Sequence, residues 1–191
     1  MTLDEIREHI DRIDPQIRDL LMKRMDCALR VAEAKYADHS TTVYRADREK
    51  AIIEQLSASV PEDRRAQFIA IIRKIMEGSR MYQYGLLYDW NGEETVFLPL
   101  LHGMSIPDSC RRVTLTVTRE NRPNAMSEVL SMIGDYGYNM EKMELTEDNE
   151  EAGTVTFSLT VLGNLKDTRM KKLMFQLSEE CDAFRILKFS E

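Results

Sequence analysis

Seven polar side chains in the first half of this chain break into or border helical apolar seams: Arg7, Arg24, Lys35, Arg48, Glu49, Ser79 and Gln83. Four are cations, one is a carboxylate and two are neutral hydrogen-bonding groups. Such a set suits a small polyanion that carries a hydroxyl, because guanidinium groups clamp carboxylates in pairs of bonds and an ammonium supplies a compact point charge. Arg24 and Lys35 carry this reading furthest. Leu3, Ile6, Ile10, Ile13, Ile17, Leu20, Arg24, Cys27 and Val31 follow one another in steps of three and four, the apolar stripe of one long amphipathic helix. Lys35 stands eleven residues beyond Arg24, close to three helical turns, so both cations point the same way. Burying unpaired charge costs roughly several kcal/mol, so a seam holding two cations implies a polar, ligand-sized cavity or anionic partners.

The elements that position these groups are helices. Thr2 and Glu5 have the spacing of a capping box that opens the first helix, whose seam runs to about Asp38 with Pro15 as its blemish. A polar break at His39 to Thr42 precedes a second helix from about Arg45 to Ser57, with Glu49, Ile52, Ile53 and Leu56 on one side. Pro61, followed by Glu62 and Asp63, marks the start of a third helix with Phe68, Ile72, Ile75, Ser79 and Gln83 in its seam. Asn91-Gly92 is its stop. The first helix would span about 50 Å, too long for one small domain, so much of its seam must meet something outside its own three-helix unit. An intertwined dimer is the economical solution.

The period changes after a connector. Residues 93–111, with two prolines and an apolar patch, read as a linker docked on a neighbour. From Arg112 the pattern becomes strand, helix, strand, strand, helix, strand: RRVTLTVT alternates, NRPNAMSEVLSMIGDYGYN is turn, helix and turn, and an acidic EDNEEAG turn joins two further strands. The expected division is a helical domain over 1–92, the linker over 93–111 and an α+β domain over 112–191.

Composition narrows the function classes. Hydrophobic residues make up 43% and charged ones 31%, ordinary for a soluble globular protein, and the net charge of −7 argues against a nucleic-acid-binding face. An anion site must then be local, built from a few placed cations. Cys27, Cys110 and Cys181 have neither metal nor redox spacing, and three scattered histidines suggest no zinc site; no metal and no cofactor is implied. The charged N-terminus is unlike a signal peptide, and no apolar run reaches the ~20 residues of a membrane span, so the expectation is a cytoplasmic protein without a membrane partner. His9 and His39 read as surface residues. The methionines of the second half (Met126, Met132, Met140, Met143, Met170 and Met174) read as core filler.

The N-terminal part resembles the all-helical class of chorismate mutase over about Leu3 to Tyr84. The resemblance rests on IRxxIDxID with Arg7, LLxxR ending at Arg24, VAxAK ending at Lys35, DRE at Asp47 to Glu49 and EGSRxYQ from Glu77 to Gln83. It implies a three-helix domain in an intertwined dimer, with chorismate as substrate. It further implies that Arg24, and Arg7 from the partner subunit, hold the two carboxylates. Lys35 and Gln83 would face the ether oxygen of the breaking bond, Glu49 would accept the ring hydroxyl, and Arg48 and Ser79 would complete the polar wall. Some members carry an acidic residue where this chain has Arg45.

The C-terminal module resembles an ACT domain, a ferredoxin-like βαββαβ unit that often binds amino acids at a paired interface. A turn of the type NRPGAL helps form the effector site in that family; here it reads NRPNAM, which makes Asn124, Ala125 and Met126 candidate effector residues. Where phenylalanine-regulated members show glutamate, serine, arginine and proline, this chain has MELTED and keeps only Glu144. The related bifunctional enzymes place a prephenate dehydratase domain between the two modules, where this chain has the short connector. The expected protein is a homodimeric or higher-order chorismate mutase with an ACT-like regulatory or assembly module and an aromatic amino acid as effector. Two alternatives stay open: a non-catalytic chorismate- or prephenate-binding regulatory subunit, and a sister lyase acting on isochorismate.

Overall fold

The computed structural model describes residues 1–190. Helix α1 (Leu3–Ala37) opens at a complete capping box: the Glu5 backbone N–H donates to Thr2 Oγ1 at 3.3 Å, and the Thr2 N–H donates to Glu5 Oε2 at 2.7 Å. It runs unbroken through Pro15. A turn and an extended stretch lead to α2 (Ala46–Ser57), and Pro61 caps α3 (Glu62–Asn91). The third helix ends at Gly92, whose φ of +81° is a conformation that side chains with a Cβ seldom take.

The seam read from the sequence and the face that α1 turns to its own chain are different stripes. Leu3, Ile6, Ile10, Ile13, Ile17, Leu20 and Val31 are all exposed, Leu20 by 64%. The helix meets α3 only in its second half, through a stripe containing half-buried Leu21 and Met25 and fully covered Ala28 and Ala32. The two alanines let the backbones approach closely. The N-terminal part of α1 is exposed and packs on no other element among the described residues.

Residues beyond α3 are packed, not free. A helical turn, α4 (Glu93–Val96), and a 3₁₀ turn (Leu98–Leu101) bury Val96, Phe97 and Leu101. The C-terminal module follows as β1 (Arg112–Glu120), α5 (Ala125–Asp135), β2 (Asn139–Asn149), β3 (Thr154–Leu162), α6 (Thr168–Glu180) and β4 (Ala183–Ser190). Its sheet has the order β2-β3-β1-β4 with every neighbouring pair antiparallel, the ferredoxin-like arrangement of a βαββαβ unit. Val113, Leu115 and Val117 alternate into the core with Leu159, Val161 and Ile186, under Val129 and Ile133 of α5 and Leu173 and Met174 of α6. On the opposite face, threonine pairs bridge β1 and β3 (Thr114–Thr160 at 3.2 Å, Thr118–Thr156 at 2.9 Å).

One apolar cluster joins the two halves. Tyr84, Leu87 and Tyr88 of α3 belong to the same buried set as Phe97, Leu101 and the sheet core, and the Tyr84 ring meets Phe175 of α6 edge-on at 5.7 Å. Lys172 of α6 pairs with Asp89 at 2.7 Å, and Lys171 pairs with Glu93 at 2.7 Å. The C-terminal module is therefore docked on the last turns of α3, beside the polar residues of that helix.

Candidate active site

Ser79 and Gln83 lie one turn apart on α3 and are both buried. Arg24 reaches across from α1 and donates to Ser79 Oγ, which donates to the Ile75 carbonyl at 3.0 Å. Gln83 Nε2 donates to the Ser79 carbonyl at 3.1 Å, while its Oε1 is buried with no hydrogen-bond partner among the described residues. A buried polar atom left unpaired costs about 1–3 kcal/mol, so this amide favours any donor that reaches it. Arg24, Ser79 and Gln83 thus form one contiguous polar patch between α1 and α3, set in an otherwise apolar contact.

Lys35 lies farther along α1, half-buried, and its side chain makes no ion pair among the described residues. Arg48 is exposed on α2 and likewise unpaired there. Arg7 is exposed and pairs with Asp4 at 3.3 Å. Seventeen residues separate it from Arg24, about 25 Å along a continuous helix, so a single chain does not bring these two guanidinium groups together.

Glu49 turns to a residue that the sequence reading did not single out. Its two carboxylate oxygens lie 2.5 and 2.7 Å from Arg80 Nη1. Arg80 is buried, and its Nε donates to Glu180 Oε1 at the end of α6 at 3.0 Å. The Tyr44 ring covers the Arg80 guanidinium at 4.7 Å and meets that of Arg119 at 5.7 Å. Burial works against the charged form of Arg80, but Glu180 and Glu49 overcome it and hold the guanidinium above its usual range. Burial drives the Glu180 carboxyl upward against the opposing pull of Arg80. Burial also raises the Tyr84 hydroxyl, which accepts from the Tyr44 backbone N–H at 3.3 Å. Arg80 follows Ser79 directly within a buried helix turn, and a basic residue there is the one local sign of this network.

The family model for chorismate mutase type II matches residues 6–84. Residues 6–84 are a chorismate mutase type II domain. Behind it, residues 112–190 have the connectivity and strand order of an ACT-like unit. Two solved structures are similar to parts of the chain. One is a prephenate dehydratase from Arthrobacter aurescens in complex with L-Phe, 22% identical with a TM-score of 0.40, covering 45% of this chain and 29% of that one. The other is GqqA, described as a novel type of quorum quenching acylase, 20% identical with a TM-score of 0.39, covering 44% of this chain and 43% of that one. The chain spans less than half the length of either. No curated protein matches it.

The candidate effector residues separate in space. Asn124 holds a left-handed conformation (φ +70°) at the start of α5 and lines an open cavity of about 900 Å³ together with Tyr44, Glu49, Arg80, Arg122 and Glu128. Ala125 is buried and Met126 half-buried. Glu144 lies on the edge strand β2, paired in register with Ser158 and bonded to Lys142 at 2.8 Å, and does not line that cavity. Among the described residues, no helix is long and apolar enough to cross a membrane.

Proposed function

We propose that this chain converts chorismate to prephenate, acting as a homodimer in which α1 crosses to the partner and carries the partner's copy of the arginine at position 7 into the site. The observation that carries the reading is the Arg24–Ser79–Gln83 patch, a fixed cation and buried amide on the domain that matches the mutase family. The rearrangement is intramolecular and needs no nucleophile and no proton shuttle. What accelerates it is the holding of a near-attack conformer and the stabilisation of charge that develops on the ether oxygen.

The side chains present suit those tasks. Arg24 is anchored by Ser79 and offers its remaining N–H groups to a substrate carboxylate. The second carboxylate takes the partner's arginine, for which the exposed apolar stripe of α1 supplies the docking surface. Lys35 and the second N–H of the Gln83 amide address the ether oxygen. Glu49, held by Arg80, accepts from the ring hydroxyl, and Arg48 borders the opening. The ACT-like module serves as a regulatory or assembly unit, with aromatic amino acids as its effector class, carried by the NRPNAM turn.

The test is the loss of chorismate absorbance, with prephenate identified as product. Wild-type protein turns over, and Lys35→Ala loses about a hundredfold or more in kcat with its helical content intact, as expected for removal of one preorganised donor. Near-wild-type turnover in that variant would sink the assignment.

A further inference from the structure

Arg80 and Glu180 are one hundred residues apart in sequence and are the most deeply buried ion pair of the chain among the described residues, with side chains 6% and 1% exposed. Neither has a place in the substrate contacts proposed above. The network extends outward from this pair. Gln176 Nε2 donates to Glu180 Oε1 at 2.8 Å, and the Tyr136 hydroxyl donates to Gln176 Oε1 at 2.9 Å. Arg119 donates to the Glu180 backbone carbonyl and pairs with Glu128 at 2.6 Å, and Glu128 also accepts from Arg122 at 2.8 Å. Arg122 also reaches the exposed Glu120 at 3.7 Å, so the outer end of the network meets solvent, whereas loss of Glu180 would leave the buried Arg80 with Glu49 as its one remaining carboxylate among the described residues.

That arrangement determines where Glu49 sits. Arg80 is fixed on three sides: Glu180 on its Nε, the Tyr44 ring over its plane and Glu49 on its Nη1. Only the Glu49 end is half open to solvent, with the side chain 24% exposed. Glu49 is thus the one carboxylate of the pair able to meet a ligand, and its position is dictated from behind by a residue of the C-terminal module.

We propose that Arg80 is a positioning residue for Glu49, and that Glu180 of the ACT-like module sets it, so that the C-terminal module is a working part of the mutase site. The proposal rests on the mutase reading. Displacement of the end of α6 withdraws Nε's acceptor, frees Arg80 to turn and takes the carboxylate out of register with the substrate hydroxyl. This gives the module a route to the chemistry that needs no contact with substrate.

The experiment uses the full-length chain and steady-state kinetics with chorismate. Glu180→Ala is expected to lower kcat about tenfold with a smaller change in KM, as for loss of alignment and not of uniform binding. Glu180→Gln, which keeps an acceptor of the same shape for Nε, restores most of that loss. Arg80→Lys behaves like Glu180→Ala, because an ammonium cannot hold both carboxylates in the arginine's geometry. In a Glu49→Gln background, which already lacks the carboxylate being positioned, Glu180→Ala adds little further loss. Lys172→Ala, which cuts the Asp89 pair and leaves Arg80 untouched, keeps wild-type kcat. Equal losses from Glu180→Ala in both backgrounds, or the same loss from Lys172→Ala, would make Glu180 a generic docking residue and overturn the proposal. Wild-type kcat in Glu180→Ala overturns it as well. An inactive wild type overturns the mutase reading first and this proposal with it, whereas active wild type with an indifferent Glu180 overturns this proposal alone.

Discussion

The two ends of the helical part are built on opposite terms. The second half of α3 is finished by its own chain: Tyr84, Leu87 and Tyr88 share one buried cluster with the connector and α6. The first half of α1 is unfinished. Its isoleucines and leucines form a continuous stripe that the chain leaves in solvent, and a helix of that composition is not held straight in water by local propensity alone. The difference teaches where each part of the function resides. What α3 contributes is fixed on folding, whereas on the proposed function what the start of α1 contributes, Arg7 above all, depends on the partner surface.

A substitution in the finished region breaks the comparison at its strongest point. Leu173 on α6 is fully buried in the cluster that joins α3, α6 and the sheet. Leu173→Ala is expected to cost about 2–5 kcal/mol of unfolding free energy, read from urea denaturation of the full chain. Because α3 and α6 share one core, loss of the helical signal and loss of near-ultraviolet aromatic signal should coincide. Two separated transitions would show that the module and the helical domain fold independently.

The matching test on the unfinished region is a pair of charges in the α1 stripe. Ile10→Lys combined with Ile17→Lys alters two side chains that lie outside the buried core and are about half exposed. The expected result is a change of sedimentation behaviour from dimer to monomer and a loss of turnover of about a hundredfold, as for removal of one charged clamp on a substrate carboxylate. Retained dimer and retained turnover would place the partner surface elsewhere and remove Arg7 from the site.

The sequence made the helices and strands readable because each rests on a local device. The Thr2–Glu5 capping box, Pro61 at the start of α3 and the Gly92 stop are all where the periodicity requires them. The alternation of RRVTLTVT gives β1, and the ferredoxin-like order follows from the succession of elements. In the site, Arg24, Ser79 and Gln83 stand out as polar residues within apolar seams, and the structure places them in contact. Two things were not legible. Periodicity identifies which side chains share a face, not what the face meets, so the α1 stripe that packs on α3 runs through Leu21, Met25, Ala28 and Ala32 and not through the isoleucine seam. The Arg80–Glu180 pair shows locally only as a basic residue in the buried turn after Ser79; Glu180 alone reads as ordinary surface charge, and the docking of α6 on α3 brings the two together.

The smallest effect sharpens the comparison without disturbing the fold. Cys27 lies in the exposed α1 stripe, whereas Cys181 follows α6 beside Arg119. Burial pushes the Cys181 thiol up to about 12, against the pull of Arg119, so at pH 8 only about one part in ten thousand is thiolate. Native protein treated with iodoacetamide at that pH should leave Cys181 unmodified in the wild type and in the Ile10→Lys, Ile17→Lys variant alike. Cys27 answers differently in the two proteins. If the stripe is covered by a partner, the wild type is alkylated at Cys27 several-fold more slowly than the variant, and the ratio closes on dilution below the dimer dissociation constant. Equal rates at all concentrations would mean that the contact on α1 stops short of Cys27, confining the partner surface to the turns around Ile6 to Leu20.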